Sequence, residues 1–151
     1  MGGAEAELIF RAPLAPLCAP ALAARLAEPA DILRAPLLRS YRPQDWPAWF
    51  KASGLEAVNV RGPLFDSSLV MVQAAMRSEG VALAPPALYR RELQSGELVR
   101  PFAVEADVGG YFLSRLKSRQ PTAGMAAFRA WLMDAFARES PEPLTLPPDA
   151  V

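Results

Sequence analysis

The segment from Gly62 to Pro86 constrains the fold of this chain more than any other. It begins as a short apolar stretch that ends at Asp66, continues through Ser67 and Ser68 into a helix-compatible run, and closes with an apolar stretch over residues 81–84. A buried strand, a helix and a second buried strand in this order are typical of an α/β protein. Because open α/β folds bind ligands beyond the carboxyl ends of their strands, we expect a polar binding site where the two serines begin the helix.

Composition argues against several classes of function. The chain has 151 residues, with 16 basic and 16 acidic side chains and a pI near 6.3, so it has no basic footprint for nucleic acid or for an anionic membrane surface. It contains no histidine and one cysteine, which removes the commonest metal ligand and the commonest general base. We therefore expect no metal and no cofactor, and we interpret Cys18 as a small buried hydrophobe.

The sequence carries no recognisable signal for secretion or membrane insertion. Residues 1–7 lack the basic start and the apolar run of a signal peptide, and no apolar stretch approaches the roughly 20 residues that cross a bilayer. A single cysteine cannot form an internal disulfide, which fits a reducing compartment. We therefore expect a cytoplasmic protein without a membrane partner.

The chain as a whole alternates between expected strands and helices, which predicts a mainly parallel sheet with covering helices. Trp46, Trp49 and Phe50 recur at helical spacing after a potential N-cap at Asp45, so we expect them to pack on the sheet. The expected helical segments are residues 21–26, 29–33, 46–54, 67–78 (burying Leu69, Val72 and Met76), 87–94 and a long helix after Pro121 (burying Met125, Phe128, Leu132 and Phe136). The expected extended segments are residues 8–17, 37–41, 57–65, 81–84, 98–102 and 111–116, and residues 139–151 are expected to form a disordered proline-rich tail.

Each polar residue near the helix start also has a purely structural interpretation. Asp66 or Ser67 can cap the helix, which is worth about 1 kcal/mol, and for Asp66 we favour the cap. Ser68, in the first turn, either contacts a ligand or faces solvent. Tyr41 ends a strand near the same edge, where it either lines the cleft or is simply exposed. Since no histidine or lysine is placed to activate the serines, we do not expect an enzyme.

Six motifs follow one another along the chain: Ala12-Pro-Leu-Ala-Pro-Leu-Cys-Ala-Pro-Ala-Leu-Ala-Ala-Arg-Leu, Trp46-x-x-Trp49-Phe50, Arg61-Gly-Pro-Leu-Phe-Asp-Ser-Ser-Leu, Gly80-Val-Ala-Leu-Ala-Pro, Gly96-Glu-Leu-Val-Arg-Pro-Phe and Ala127-Phe-Arg-Ala-Trp-Leu. In their order and spacing over residues 7–137, they resemble the effector domain of LysR-type transcriptional regulators. The resemblance implies a two-lobe α/β fold like that of type 2 periplasmic binding proteins, with the effector bound between the lobes. Residues 14–104 then match an essentially complete lobe two and residues 107–138 a return to a mostly missing lobe one, while the DNA-binding domain is absent.

Two segments, Leu37-Leu-Arg-Ser-Tyr-Arg42 and Tyr111-Phe-Leu-Ser-Arg-Leu-Lys-Ser-Arg119, further resemble the AmpR-type regulators of β-lactamase genes. That resemblance implies a muropeptide or a nucleotide-linked cell-wall precursor as effector, and it matches Ser68 and Tyr111 to the family's effector contacts. It also implies a homo-oligomer that binds DNA only through the absent N-terminal domain. Two alternatives stay open: a regulator of amino-acid metabolism with a different effector, and one lobe of a solute-binding protein.

Two further expectations concern Tyr111 and the apolar faces of the first extended segment and the last helix. Tyr111 is either an effector contact or an ordinary half-buried sheet tyrosine, and it joins the other polar residues as a candidate. Residues 8–17 and the last helix would normally pack on the missing lobe, so their apolar faces should drive self-association. The candidate ligand-binding residues are Asp66, Ser67, Ser68, Tyr41 and Tyr111.

Overall fold

The computed structural model describes residues 3–139, which divide into two compact units. The central unit spans Ala12–Val108, and the terminal unit joins residues 3–11 to residues 109–139. Among these residues, no helix is both long enough and apolar enough to span a membrane. Each unit has its own secondary-structure elements and its own packing.

The elements alternate between strands and helices, in broad agreement with the sequence pattern. The expected helix over residues 87–94 is divided into a 3₁₀ turn and a short α-helix, which ends before Gly96 in a left-handed conformation with φ of 82°. In chain order the elements are β1 (Ala4–Arg11), β2 (Ala15–Leu17), α1 (Pro20–Ala23), a 3₁₀ helix (Pro29–Arg34), β3 (Arg39–Ser40), α2 (Asp45–Ala52), β4 (Leu64–Phe65), α3 (Ser68–Met76), β5 (Ala82–Ala84), a 3₁₀ helix (Pro86–Tyr89), α4 (Arg90–Ser95), β6 (Gly110–Leu116) and α5 (Ala123–Glu139).

Strand pairing in the central unit combines both directions. β3 and β4 are parallel, and a parallel bridge joins Leu37 to Val81. β2 runs antiparallel to β5, and an antiparallel bridge joins Cys18 to Val99. The prediction of a mainly parallel sheet is therefore wrong, because the segment that enters the unit runs opposite to the strands it meets.

The aromatic side chains of α2 form one core of the central unit. Trp49 and Phe50 are fully buried and Trp46 nearly so, which confirms the prediction that they pack inside. The indole N–H of Trp46 donates to the carbonyl oxygen of Leu38 at 2.8 Å, and that of Trp49 donates to the carbonyl oxygen of Val104 at 3.1 Å. Both rings therefore bury their apolar area without leaving a polar group unsatisfied.

A second core lies beneath α3 and contains Leu17, Leu38 and Leu98 together with one face of the helix. That face is centred on Met71 and Val72. The prediction that Leu69 is buried is wrong, since 59% of it is exposed. The reason is that two alanines, Ala74 and Ala75, bring the helix close to the apolar strands beneath it, and this rotates Leu69 outward.

Several expected strands are shorter than the sequence pattern predicts, among them residues 37–41, which are reduced to β3 and a bridge at Leu37. The strand expected over residues 57–65 is reduced to β4, and the one over residues 98–102 to the single bridge at Val99. The tail expected over residues 139–151 lies outside the described residues, apart from Glu139, which ends α5.

The terminal unit consists of two strands and one helix. β1 and β6 pair antiparallel, with an irregularity between Leu8 and Phe10. The ring of Phe10 lies 5.3 Å from the ring of Phe136 in α5, measured between centroids. The predicted buried face of α5 is only partly correct, because Phe136 is half-buried whereas Met125 and Phe128 are exposed.

Candidate functional site

Ser67 caps α3, and Asp66 does not. The backbone of Ser67 is extended, with φ of −122° and ψ of 119°, and its Oγ accepts a hydrogen bond from the backbone N–H of Val70 at 3.4 Å. The helix begins one residue later than a cap at Asp66 would require, so the prediction for Asp66 is wrong. Its carboxylate is exposed beside the helix start instead.

Ser68 is the first residue of α3 and is exposed. The first amide N–H groups of a helix have no carbonyl partner within it, and here the side chain of Ser67 accepts a hydrogen bond from the amide N–H of Val70. The amides of Ser68 and Leu69 therefore point out of the helix start, next to the Ser68 hydroxyl. Together with the positive end of the helix dipole, such donors favour a carboxylate or a phosphate.

The segment leading into α3 is fixed by close backbone contacts. The Nε of Arg39 donates to the carbonyl oxygen of Gly62 at 2.7 Å, and the backbone N–H of Arg39 donates to that of Pro63 at 2.9 Å. Gly62 lies so close to β3 that a Cβ added to it would be 1.5 Å from the carbonyl oxygen of Leu37. The sequence pattern did not reveal this contact; the only signal was a glycine followed by a proline just before the polar residues.

Tyr41 lies at the same edge of the sheet as the serines. Ser40 of β3 is paired in parallel with Phe65 of β4, so Tyr41 and Asp66 each follow the carboxyl end of neighbouring strands. Tyr41 is 66% exposed. The structure therefore brings four of the five candidates, Tyr41 and residues 66–68, to one edge of the central unit.

Ser40, which precedes Tyr41 in the chain, and Asp45 are buried polar residues that form a cluster with Arg42. The Oγ of Ser40 donates to the Oδ2 of Asp45 at 3.0 Å, and the Nε of Arg42 lies 3.4 Å from its Oδ1. Burial raises the pKa of the Asp45 carboxyl, while the Ser40 hydrogen bond and the Arg42 charge oppose that rise. The expected N-cap at Asp45 is wrong, because Gln44 occupies the cap position and Asp45 is the first residue of α2.

Tyr111 belongs to the terminal unit, near the start of β6. It is 52% exposed and lies in a strand, which fits the interpretation as a half-buried sheet tyrosine and also leaves its phenol open to a ligand. Its ring is stacked near that of Phe10, with centroids 6.4 Å apart and an interplanar angle of 29°. One face of the ring therefore packs against Phe10 within the unit, while about half of the residue stays accessible to solvent.

Nothing among residues 3–139 resembles a metal site, since no group of three or more potential ligands from Asp, Glu, Cys and His is close together there. Cys18 is fully buried, as the sequence predicted, and burial raises the pKa of its thiol to about 11. A thiol with that pKa is a poor nucleophile at neutral pH. The described polar residues at the sheet edge are suited to holding a ligand.

Comparison with known proteins identifies the family to which this chain belongs. Residues 2–137 match the model of the LysR substrate binding domain. The HTH-type transcriptional activator AmpR of Pseudomonas aeruginosa is 50% identical over 140 residues, which are 91% of this chain and 47% of that protein. AmpR of Enterobacter cloacae is 46% identical, over 90% of this chain and 47% of that protein. The chain thus spans about half the length of the curated relatives it matches.

Solved structures agree with the sequence match. The effector domain of AmpR from Pseudomonas aeruginosa superposes with a TM-score of 0.86 at 51% identity, covering 91% of this chain and 67% of that domain. An effector binding domain from Citrobacter freundii that contains three amino acid substitutions superposes with a TM-score of 0.82 at 37% identity, covering 88% and 68%. These matches confirm the predicted fold. The chain belongs to the LysR substrate-binding domain family, and within it is similar to the effector domains of AmpR transcriptional activators.

Proposed function

We propose that this chain is the effector-sensing part of an AmpR-like LysR-type transcriptional regulator and that it binds a muropeptide or a nucleotide-linked cell-wall precursor. The observation that carries the proposal is the exposed first turn of α3, where Ser68 presents a hydroxyl and an amide N–H beyond the carboxyl end of β4. Both classes of ligand carry carboxylate or phosphate groups, which the start of a helix attracts.

The five candidate residues have distinct roles in this proposal. Ser68 donates to the anionic group, and Ser67 keeps its capping hydrogen bond and so fixes the turn. Asp66 accepts from a sugar hydroxyl or a peptide amide. Tyr41 and Tyr111 each offer a phenol for a hydrogen bond and a ring for the face of a sugar.

The substituted Citrobacter freundii domain supports two of these assignments. Its substitutions replace a threonine by valine, a serine by alanine and a tyrosine by phenylalanine. The serine and the tyrosine are separated by the same number of residues as Ser68 and Tyr111. Each substitution removes one hydroxyl group and changes little else, as expected for residues chosen for their hydrogen bonds. The threonine precedes the serine by more residues than precede Ser68 in this chain.

The proposal extends to the protein of which this domain is the sensor. Residues 14–104 are lobe two of the effector domain, and residues 107–138 return to lobe one. DNA is bound by an N-terminal domain that has no counterpart in this chain, in a homo-oligomer located in the cytoplasm. The protein regulates transcription, has no catalytic activity of its own and needs no cofactor, in line with relatives named as transcriptional activators.

The proposal is tested in a full-length regulator in which the Pseudomonas aeruginosa relative supplies the parts that have no counterpart here. Ser68→Ala should weaken muropeptide binding about 10-fold or more, because a hydrogen bond to a charged group is lost, and Tyr111→Phe should weaken it about 3-fold. Ser118→Ala, at another exposed serine, is the matched control and should bind normally. Calorimetry measures the affinities and a promoter reporter the switching. If both variants bind and switch like the parent protein, the assignment is wrong.

A further inference from the structure

Arg42 connects the carboxyl end of β3 to the end of the central unit. The antiparallel bridge between Leu14 and Ala106 holds the outgoing segment through two backbone hydrogen bonds of 2.9 and 2.8 Å. Two residues later, the carbonyl oxygen of Val108, the last residue of the central unit, accepts a hydrogen bond from the Nη2 of Arg42 at 3.2 Å. A side chain that follows β3 therefore restrains the peptide through which the chain leaves the unit.

The restrained peptide joins Val108 to a glycine. Gly109 has φ of 116°, which residues with a side chain rarely adopt. Glycine reaches both this region and the ordinary one at little cost, so the backbone can change direction at this residue. Of the described residues beyond its chain neighbours, none lies within 4 Å of a Cβ added to Gly109. The direction in which the chain leaves the central unit therefore depends on what holds the Val108 carbonyl.

The same guanidinium lies beside a second acceptor, the Oδ1 of Asp45. This oxygen is buried and, within residues 3–139, has no hydrogen-bond donor, although the Nε of Arg42 is 3.4 Å away. Charge-assisted hydrogen bonds from a guanidinium to a carboxylate are usually about 2.7–2.9 Å long, so neither contact of Arg42 is at its optimum. Because a buried carboxylate oxygen without a donor is costly, movement of the guanidinium toward Asp45 is favourable there and weakens its hold on Val108.

Tyr41 is linked to Arg42 by a tight turn of the chain. The backbone N–H of Arg42 donates to the Oγ of Ser40 at 3.1 Å, and this hydroxyl donates to the Oδ2 of Asp45 at 3.0 Å. Ser40 and Asp45 are buried, whereas Tyr41 is exposed and the side chain of Arg42 is 39% exposed. A ligand that displaces Tyr41 therefore moves Arg42 relative to a fixed buried carboxylate.

We propose that Arg42 is a positioning residue whose guanidinium exchanges between the Oδ1 of Asp45 and the carbonyl oxygen of Val108. A ligand at Tyr41 shifts this exchange, because it displaces Arg42 with it. The shift changes the direction of the chain at Gly109 and so passes the occupancy of the site to the segment that leaves the central unit. The inference rests on the proposed function for its ligand, but none of the three residues that carry the exchange is a candidate ligand contact.

The test uses the full-length regulator completed with the Pseudomonas aeruginosa parts, and muropeptide as the ligand. Arg42→Gln should leave the calorimetric affinity within about 2-fold of the parent protein, while the ratio of reporter activity with and without muropeptide falls about 5-fold or more. A merely structural defect would lower both. Arg42→Lys keeps the charge but replaces the fork by one ammonium group, and it should restore part of the switching. Arg91→Gln, at an exposed arginine of α4, is the matched control and should bind and switch normally.

Asp45→Asn gives a second perturbation of opposite sense. Asparagine keeps an acceptor for Ser40 but no longer attracts the guanidinium by charge, so Arg42 should stay on Val108. Arg42→Gln instead releases Val108, and reporter activity without muropeptide should therefore shift in opposite directions in these two variants. Muropeptide should also change amide exchange over residues 109–110 in the parent protein and leave it unchanged in Arg42→Gln.

Three results would overturn the proposal. The first is an Arg42→Gln variant that binds and switches like the parent protein. The second is a loss of affinity of about 10-fold with full switching at saturating muropeptide, which would make Arg42 a ligand contact. The third is a shift of basal activity in the same direction in Arg42→Gln and Asp45→Asn.

The controls separate this proposal from misfolding and from the proposed function. Circular dichroism checks that each variant is folded, and two positions are used so that misfolding of one does not decide the matter. Failure of the proposed function would appear as absence of muropeptide binding by the parent protein. Reporter activity without muropeptide would then still test the exchange between Asp45 and Val108, and a normal Arg42→Gln variant would leave the proposed effector site standing.

Discussion

A single methyl group added at Gly62 would test how the candidate site is held in place. A Cβ at this position would lie 1.5 Å from the carbonyl oxygen of Leu37 and 2.7 Å from its carbonyl carbon, whereas real Cβ contacts essentially never fall below 3.0 Å. Both obstructing atoms are backbone, so no change of side-chain rotamer relieves the overlap. Gly62→Ala must therefore push the segment before β4 away from β3.

The cost of that displacement follows from the hydrogen bonds it breaks. The bond from the Arg39 guanidinium to Gly62, at 2.7 Å, involves a charged donor and is worth about 1.5–3 kcal/mol. The backbone bond from Arg39 to Pro63, at 2.9 Å, adds about 1 kcal/mol. We therefore expect Gly62→Ala to lower the free energy of unfolding by about 2.5–4 kcal/mol.

The matched control is Gly54→Ala. Gly54 has φ of 74° and nothing within 4 Å of an added Cβ. Alanine there should lower the free energy of unfolding only through the strain of a left-handed backbone, by about 1 kcal/mol. Urea unfolding followed by tryptophan fluorescence measures both variants, because Trp46 and Trp49 are buried in the same unit. If Gly62→Ala loses no more stability than Gly54→Ala, the close approach at Gly62 does not restrain this segment and the reasoning is refuted.

Two further predictions concern the pH dependence of stability. Burial raises the pKa of the Cys18 thiol from 9.0 to about 11, so the unfolded chain ionises first. Stability should therefore fall as pH rises through this window by at most about 2–3 kcal/mol, and urea midpoints of Cys18→Ala should lack that fall. Burial likewise raises the pKa of the Asp45 carboxyl above 3.8, so the folded state releases this proton at a higher pH than the unfolded state does. Stability should then fall as pH rises above 3.8, and Asp45→Asn, which keeps an acceptor for Ser40, should show a smaller fall; equal slopes in the two proteins would contradict this.

The parts of the fold that sequence predicted well are those in which apolar periodicity and burial coincide. Trp46, Trp49 and Phe50 recur at helical spacing and are buried together, and the apolar run over residues 81–84 contains β5. Hydropathy could not identify the buried face of α3, where small alanines rather than Leu69 face the strands. Volume, and not only apolar character, decides which face of a helix can approach a sheet closely.

The position of the candidate site could be predicted from the sequence, but the contacts that hold it in place could not. Two serines before an apolar run indicate a helix start, but which of residues 66–68 is the cap depends on a one-residue shift that composition does not fix. Asp45 shows the same limit, because its partner Ser40 lies on another element. Contacts between elements, such as that between Gly62 and Leu37, are tertiary and leave no periodic signature in the sequence.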